Sequence, residues 1–194
     1  SFKYSSPRNN KFTYTLYGRR GNGSEYGGNR GWTSKYYLGL GYQPSSNLSY
    51  YVGISEETEN NWLNWVQDNL LATYDREQRN LNTTIKWFKG NKHELRIRAQ
   101  LVSFTARNGI PYIADPKGYL SLSNYDVNSF TLGNVAFQVR YKYEILPLSY
   151  LYIVYTKGGR VLEFDEEDSF GEIVKRPWLE PDRDNFTVKV RYRF

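Results

Sequence analysis

The side chains that most often perform enzymatic or metal chemistry are scarce in this sequence. His93 is the only histidine and there is no cysteine, so Cys–His nucleophilic sites and multi-histidine metal sites cannot form. His93 lies beside a predicted tight turn, where a plain surface position is expected. We therefore predict no catalytic residue, no metal site and no cofactor, and a protein that is not an enzyme.

One acidic segment could in principle hold a cation. Its carboxylates are Glu163, Asp165, Glu166, Glu167, Asp168 and Glu172. Calcium prefers such oxygen ligands, but the spacing does not match an EF-hand loop. We expect a solvated loop here.

The remaining polar chemistry is basic. The chain has a formal net charge of +6, which allows an anionic partner. Eight basic side chains stand at alternate positions of apolar segments: Lys86, Arg96, Arg98, Arg140, Lys142, Lys189, Arg191 and Arg193. The only acidic residues at these alternate positions are Glu94 and Glu144.

The segments that carry these residues have a period of two, which predicts β-strands. The last segment sets Phe186, Val188, Val190, Tyr192 and Phe194 against Thr187, Lys189, Arg191 and Arg193. Comparable alternation occurs at 12–17, 36–42, 50–54, 81–87, 94–101, 135–144 and 151–155, giving eight strands. The longest wholly apolar or aromatic run is 150–155, far short of the ~20 residues of a transmembrane helix.

The predicted connections alternate in length. Short turns rich in Pro, Gly, Asn and Ser lie at 43–47, 89–92 and 146–149, whereas the connections at 19–31, 56–77, 107–128 and 158–184 are long. Outer-membrane barrels show this alternation, with short periplasmic turns and long extracellular loops. Within the second long connection, residues 61–71 have helical spacing, so either a short amphipathic helix or an extension of the fourth strand, at 81–87, is expected.

The composition assigns the two faces of such strands. Side chains that face lipid must be apolar, so the apolar sets are predicted to face outward and the basic set to line a lumen. Two hypotheses stay open for that set: a basic lumen that attracts anionic solutes or excludes cations, or a packed Arg/Lys network that braces the wall.

Aromatic residues gather at the strand ends, as in the girdles of membrane barrels. The predicted periplasmic girdle comprises Tyr42, Tyr50, Trp87, Tyr143, Tyr192 and Phe194. The last strand, with Val188, Val190, Tyr192 and Phe194 on one face, resembles the signal that barrel assembly machinery recognises.

The start of the chain predicts a further strand. Residues 5–10 are typical of a periplasmic turn, and Phe2–Tyr4 before it is interpreted as the stub of a ninth strand. The expectation is a chain that begins inside a larger barrel; a closed eight-stranded barrel is the alternative.

Several blocks resemble a known family. They are 69–78 with Tyr74-Asp75-Arg76-Glu77-Gln78, Lys86-Trp87-Phe88, His93-Glu94-Leu95-Arg96, 137–155 and 188–194. The chain over roughly 66–194 is similar to the outer-membrane barrel domain of unknown function that often follows a periplasmic domain resembling family 9 carbohydrate-binding modules. The resemblance implies a longer parent protein and a link to carbohydrate handling, and it implies no activity.

Together these observations predict a single all-β domain over 1–194, an antiparallel transmembrane β-barrel of a bacterial outer membrane or its C-terminal part. The leading function is a channel or transport-associated barrel, and the alternative is a structural or docking barrel of an envelope complex with a plugged lumen. Expected partners are outer-membrane lipid and lipopolysaccharide, the barrel assembly machinery, and the rest of the parent barrel or other envelope proteins. Nucleic acid is not expected, because strands basic on one face and apolar on the other have no second layer here to cover the apolar face.

Overall fold

The computed structural model describes residues 1–7, 11–23, 31–164 and 170–193. Over these ranges the chain is all-β with one short helix. The strands are β1 (Phe2–Ser5), β2 (Phe12–Gly23), β3 (Gly31–Ser45), β4 (Leu48–Gln67), β5 (Leu70–Lys89), β6 (His93–Ala114), β7 (Leu120–Leu122), β8 (Phe130–Leu146), β9 (Ser149–Phe164) and β10 (Arg183–Arg191), and the helix is α1 (Phe170–Leu179).

The strands form one antiparallel sheet in the order β1-β2-β3-β4-β5-β6-β8-β9-β10. The short strand β7 pairs with the end of β6 that lies away from the short turns, and we call this end of the strands the outer end. The eight predicted strands are present as β2 to β6 and β8 to β10, and the predicted stub is β1, which pairs with β2. The short strand β7 was not predicted. Within the described ranges the sheet is open, with β1 and β10 as its edges.

The predicted long connection at 56–77 is almost entirely strand. β4 continues to Gln67 and β5 begins at Leu70, so the hairpin turns at Asp68, whose φ is +45°. The helix expected at 61–71 is therefore wrong. The fourth predicted strand does extend, as β5, but only back to Leu70, and residues 61–67 extend the third predicted strand, β4. Two register shifts in this hairpin, between Glu59 and Trp62 and between Trp65 and Gln67, explain the error. Each shift moves the alternation by a residue, and the apolar residues then have helical spacing.

The sheet curves around its polar face. One cleft is lined by Thr13 of β2, Gly41 of β3, Tyr51 of β4, Lys86 of β5 and Arg98 of β6. Strands are ~4.8 Å apart, so five consecutive strands can line one cleft only when the sheet bends toward it. We call this polar side the concave face and the opposite, apolar side the convex face.

The sheet is a single layer over much of its extent. The chain exposes 13268 Å², whereas a soluble monomer of 22.9 kDa is expected to expose about 9,600 Å². The excess arises because apolar side chains of the convex face, among them Leu40 and Ile54, are about half exposed.

The helix α1 covers one part of the convex face. Its Ile173 is buried against Gly133 of β8, and the Pro177 carbonyl lies over Gly159 of β9. Val135, predicted to face lipid, is instead buried, and Phe137 contacts the ring of Trp178 edge-on, with centroids 5.6 Å apart.

The connection predicted at 158–184 thus contains the end of β9 and all of α1. Gly133 and Gly159 have no side chains, which lets the helix backbone approach the sheet closely. In the described part of the chain no helix has the length and apolar character needed to cross a membrane.

Candidate functional site on the concave face

The strand register places the predicted basic residues on one face. Lys86 pairs with Arg96, and Arg96 with Arg140, so these three residues form one row across β5, β6 and β8. The next row toward the turns joins Glu94, Lys142, Tyr152 and Lys189, and Arg191 pairs with Tyr150 beyond it. Because paired residues point to the same side of a sheet, seven of the eight predicted basic residues share the concave face.

The eighth residue, Arg193, follows the end of β10 and is exposed. Its backbone N–H donates a hydrogen bond of 3.0 Å to the Ser149 hydroxyl. The backbone of Arg193 is thus hydrogen-bonded to the start of β9, and its exposed side chain lies beyond the end of β10.

Part of the basic set is neutralised within the wall. A single Glu94 carboxylate oxygen accepts from Arg96 at 3.0 Å and from Arg140 at 3.4 Å. The ammonium of Lys142 lies 4.3 Å from the centre of the Tyr150 ring, within the range of a cation–π contact. These contacts agree with the hypothesis of a bracing network for this part of the wall.

A second charged group lies farther from the short turns, on the outer part of the concave face. Lys35 of β3 donates to Glu57 of β4 at 2.8 Å, and Arg76 of β5 contacts both Glu57 and Glu59, the latter at 3.2 Å. Burial raises the pKa of Glu57, but the Lys35 hydrogen bond and the charges of Arg76 and Lys35 outweigh it and hold this pKa below its usual range. Sequence reasoning missed this group because residues 56–60 are polar on both faces, so no alternation marks a strand there.

An aromatic cluster closes the concave face beyond this charged group. Trp62 contacts Phe104 edge-on with centroids 5.2 Å apart, and Tyr74 contacts Phe130 likewise at 5.5 Å. Arg76 lies over the Trp62 ring at 5.7 Å. Burial raises the pKa of the Tyr74 hydroxyl. The cluster narrows the space enclosed by the outer ends of β4, β5, β6 and β8.

Two tyrosines lie flat along the concave wall. The hydroxyls of Tyr37 and Tyr51 contact each other, and a Cβ atom added to Gly39 would lie 2.8 Å and 2.9 Å from them. A Cβ atom on Gly53 would lie 3.1 Å from the Tyr37 hydroxyl. Gly39 and Gly53 thus leave the space in which the tyrosine rings cover the sheet, an arrangement that supports curvature.

The central part of the concave face contains the larger cleft, with a volume of about 710 Å³. Its floor is formed by Ala136 and Gly158, which pair directly. Around the floor stand amide, hydroxyl and guanidinium side chains from five strands: Asn82, Thr84, Arg98, Gln100, Asn134, Gln138, Thr156, Arg160 and Arg183. Of the predicted basic residues only Arg98 lines this cleft, and Arg160 and Arg183 were missed because they lie in a segment predicted as a loop.

On β5 the convex face has an apolar band with charged limits, whereas on β9 and β10 the residues of the Thr83 row are the charged Lys157 and Asp184. On β5 the convex residues between Lys89 and Arg79 are Leu81, Thr83, Ile85 and Trp87. The ten residues of strand from Arg79 to Lys89 span about 33 Å. At the tilt of about 40° that strands of membrane barrels have, this length would correspond to a height of about 25 Å, the height of their apolar band.

The helix α1 covers the outer part of this band on β8 and β9. Its contact residue Gly133 pairs with Ser103, and Ser103 with Arg79. Trp178 of the helix contacts Phe137, which pairs with Ala99 in the row of Thr83. The helix therefore extends from the row of the charged limit to the middle row of the band.

The predicted periplasmic girdle occupies the convex face near the short turns. Tyr42 stacks on Phe12 at 4.3 Å and lies 6.3 Å from Tyr50, and Trp87 occupies the same face of β5. Tyr143 stacks on His93 at 4.8 Å, and His93 Nδ1 hydrogen-bonds to the hydroxyl of the neighbouring Tyr141 at 2.6 Å. His93 is thus part of this aromatic belt.

The edge strand β10 exposes its apolar residues. Val188, Val190 and Tyr192 are each more than half exposed, and Phe194 of the predicted girdle and assembly signal lies outside the described residues.

Of the acidic segment, Glu163 pairs with Arg176 of α1, and the carboxylates at 165–168 also lie outside the described residues.

In comparisons with family models, curated proteins and solved structures, nothing matches the chain.

Proposed function

We propose that this chain is wall material of a bacterial outer-membrane β-barrel with a transport function, the convex face toward lipid and the concave face toward a water-filled lumen. The observation that carries the proposal is the apolar convex side of β5 between the charged residues Arg79 and Lys89. This segment spans about 33 Å of strand, which matches the apolar band of a membrane barrel at the strand tilt of such barrels. A soluble protein would bury such a face under a second layer, and in the described residues only α1 covers part of it.

The two sheet edges support a larger barrel. β1 and β10 each pair on one side only, and unpaired strand edges are not tolerated in hydrocarbon. We infer that additional strands lie between these edges in the assembled protein and complete the wall.

The concave face supports a transport role over a purely structural one. Its central cleft is lined by polar side chains and has a floor of small residues, which leaves room for water and solute. The full-length protein in a planar lipid bilayer is expected to give stepwise current. Absence of current from protein inserted in a verified orientation would contradict the transport function.

A structural or docking barrel with a plugged lumen is the second candidate. The observation that favours it is the aromatic cluster of Trp62, Tyr74, Phe104 and Phe130, which fills the outer end of the concave face. On this alternative the inserted protein carries no current, but Trp62→Ala with Phe104→Ala opens a conductance. A conductance that is already present and unchanged in the double variant would exclude the plug.

A further inference from the structure

Five arginines are paired with carboxylates: Arg76, Arg79, Arg96 and Arg140 of the sheet and Arg176 of α1. Other strand arginines have no carboxylate within ion-pair distance among the residues that the structure describes. Of these, Arg98, Arg160 and Arg183 line the central cleft, whereas Arg19, Arg20, Arg107 and Arg191 lie outside it.

The three arginines approach the cleft from different strands. Arg98 extends from β6, Arg160 from β9 and Arg183 from β10, and the register puts all three on the concave face. Between them lie Ala136 and Gly158, so the floor carries almost no side-chain volume. The guanidinium groups therefore border an open space rather than filling it.

Apart from Lys157 and Asp182, the remaining polar lining consists of uncharged groups that both donate and accept hydrogen bonds. Asn82, Gln100, Asn134 and Gln138 contribute amides, and Thr84 and Thr156 contribute hydroxyls. The one carboxylate at the cleft, Asp182, already accepts from the backbone N–H of Arg160 at 2.8 Å.

We propose that this cleft is a binding subsite for an anionic saccharide, a sugar that carries a phosphate or carboxylate. Guanidinium groups bind such anions through two parallel hydrogen bonds, and amide and hydroxyl side chains match the alternating donors and acceptors of ring hydroxyls. The volume of about 710 Å³ lies in the range of sites that hold small molecules.

Arg98 also connects this subsite to the second cleft. That cleft has a volume of about 380 Å³ and is lined by Lys11, Lys86 and Arg98. The two clefts therefore share one guanidinium, which gives an anion a continuous cationic path along the concave face toward the short turns. This inference rests on the proposed function, because it takes the concave face to be open to solute.

The test is calorimetric titration of the full-length protein in detergent with glucose 6-phosphate, glucose and inorganic phosphate. Glucose 6-phosphate is expected to bind at least roughly tenfold more tightly than either of the others, since only it uses both the cationic and the amide groups. Arg98→Gln and Arg160→Gln are each expected to weaken its binding roughly tenfold. The matched control is Arg107→Gln, an exposed arginine of β6 outside the cleft, which is expected to change nothing.

Each other outcome overturns the proposal. Equal binding of glucose would show that the arginines make no contact, and equal binding of inorganic phosphate would show a simple anion site. An equal effect of Arg107→Gln would show non-specific electrostatics. Circular dichroism spectra identical to the parent establish that the variants fold. Failure of the transport proposal is distinguishable, because it appears as absent current in a bilayer whether or not the sugar phosphate binds.

Discussion

The substitution Leu40→Arg tests whether the convex face contacts lipid. Leu40 is 50% exposed, and it pairs with Val52, which pairs with Thr83. Thr83 lies four residues from Arg79 and six from Lys89, so Leu40 is near the middle of the apolar band. An arginine there is expected to cost about 2–4 kcal/mol if the face contacts hydrocarbon, and within about 0.5 kcal/mol if it contacts water.

The matched control is Thr13→Arg on the concave face. Thr13 pairs with Gly41, the residue next to Leu40, and lines the second cleft, so a long cationic side chain has room and water. We expect this variant to stay within about 0.5 kcal/mol of the parent. The two substitutions introduce the same charge at neighbouring rows of adjacent strands, on opposite faces of the sheet.

The assay is equilibrium unfolding by urea of protein folded into phosphatidylcholine vesicles, followed by tryptophan fluorescence. The expected loss in Leu40→Arg corresponds to a folding constant lower by roughly 30- to 700-fold. The reasoning is refuted if both variants unfold with the same midpoint as the parent. It is equally refuted if Thr13→Arg is the more destabilised of the two, because the faces would then be reversed.

Three further perturbations test single contacts. Glu57→Gln should flatten the pH dependence of stability. Because the pKa of Glu57 is lowered in the folded protein, the stability that its carboxylate contributes is present above the ordinary carboxyl pKa of ~4.3 and is lost as pH falls through the lower folded value. An unchanged profile of urea midpoints from pH 6 to pH 3 would contradict this prediction. Gly53→Val should displace the Asn82 amide, which lies 2.9 Å from the added Cβ, and the Tyr37 hydroxyl at 3.1 Å. The expected cost is about 1–3 kcal/mol, read as a lower urea midpoint. Gly21→Val, where nothing lies within 4 Å of the added Cβ, is the less affected comparison. Ile173→Ala should release α1 from Gly133 at a cost of about 2–5 kcal/mol, seen as faster proteolysis at Lys175 than in the parent; equal cleavage rates would show that α1 is held otherwise.

Much of the sheet follows from local chemistry. In β10 the alternation of Val188 and Val190 with Lys189 and Arg191 specifies both a strand and its two faces, because successive side chains of a strand point to opposite sides. The turns at 89–92 and 146–149 follow from Gly90 and Pro147 in the same way. These features depend on neighbours within a few residues, so they can be read without the fold.

The bulges in the β4–β5 hairpin could not be predicted in the same way. The alternation of side chains between the two faces shifts by one residue at each register shift between Glu59 and Gln67. Beyond each shift, the face of a residue is set by its pairing with β5, and the sequence does not state where that strand lies. The aromatic contact of Trp62 with Phe104 spans three strands, and only the assembled sheet brings the two rings together.

By itself, the sequence determined the period-two strands, their polar and apolar faces and their short turns, since each depends on side-chain alternation and turn chemistry. Tertiary structure decided which arginines are paired. Arg140 and Arg98 have the same alternating position along their strands, yet Arg140 meets Glu94 across a strand boundary and Arg98 meets an open cleft. The difference arises from cross-strand register and from the small residues at the cleft floor, and neither is a property of the strand that carries the charge.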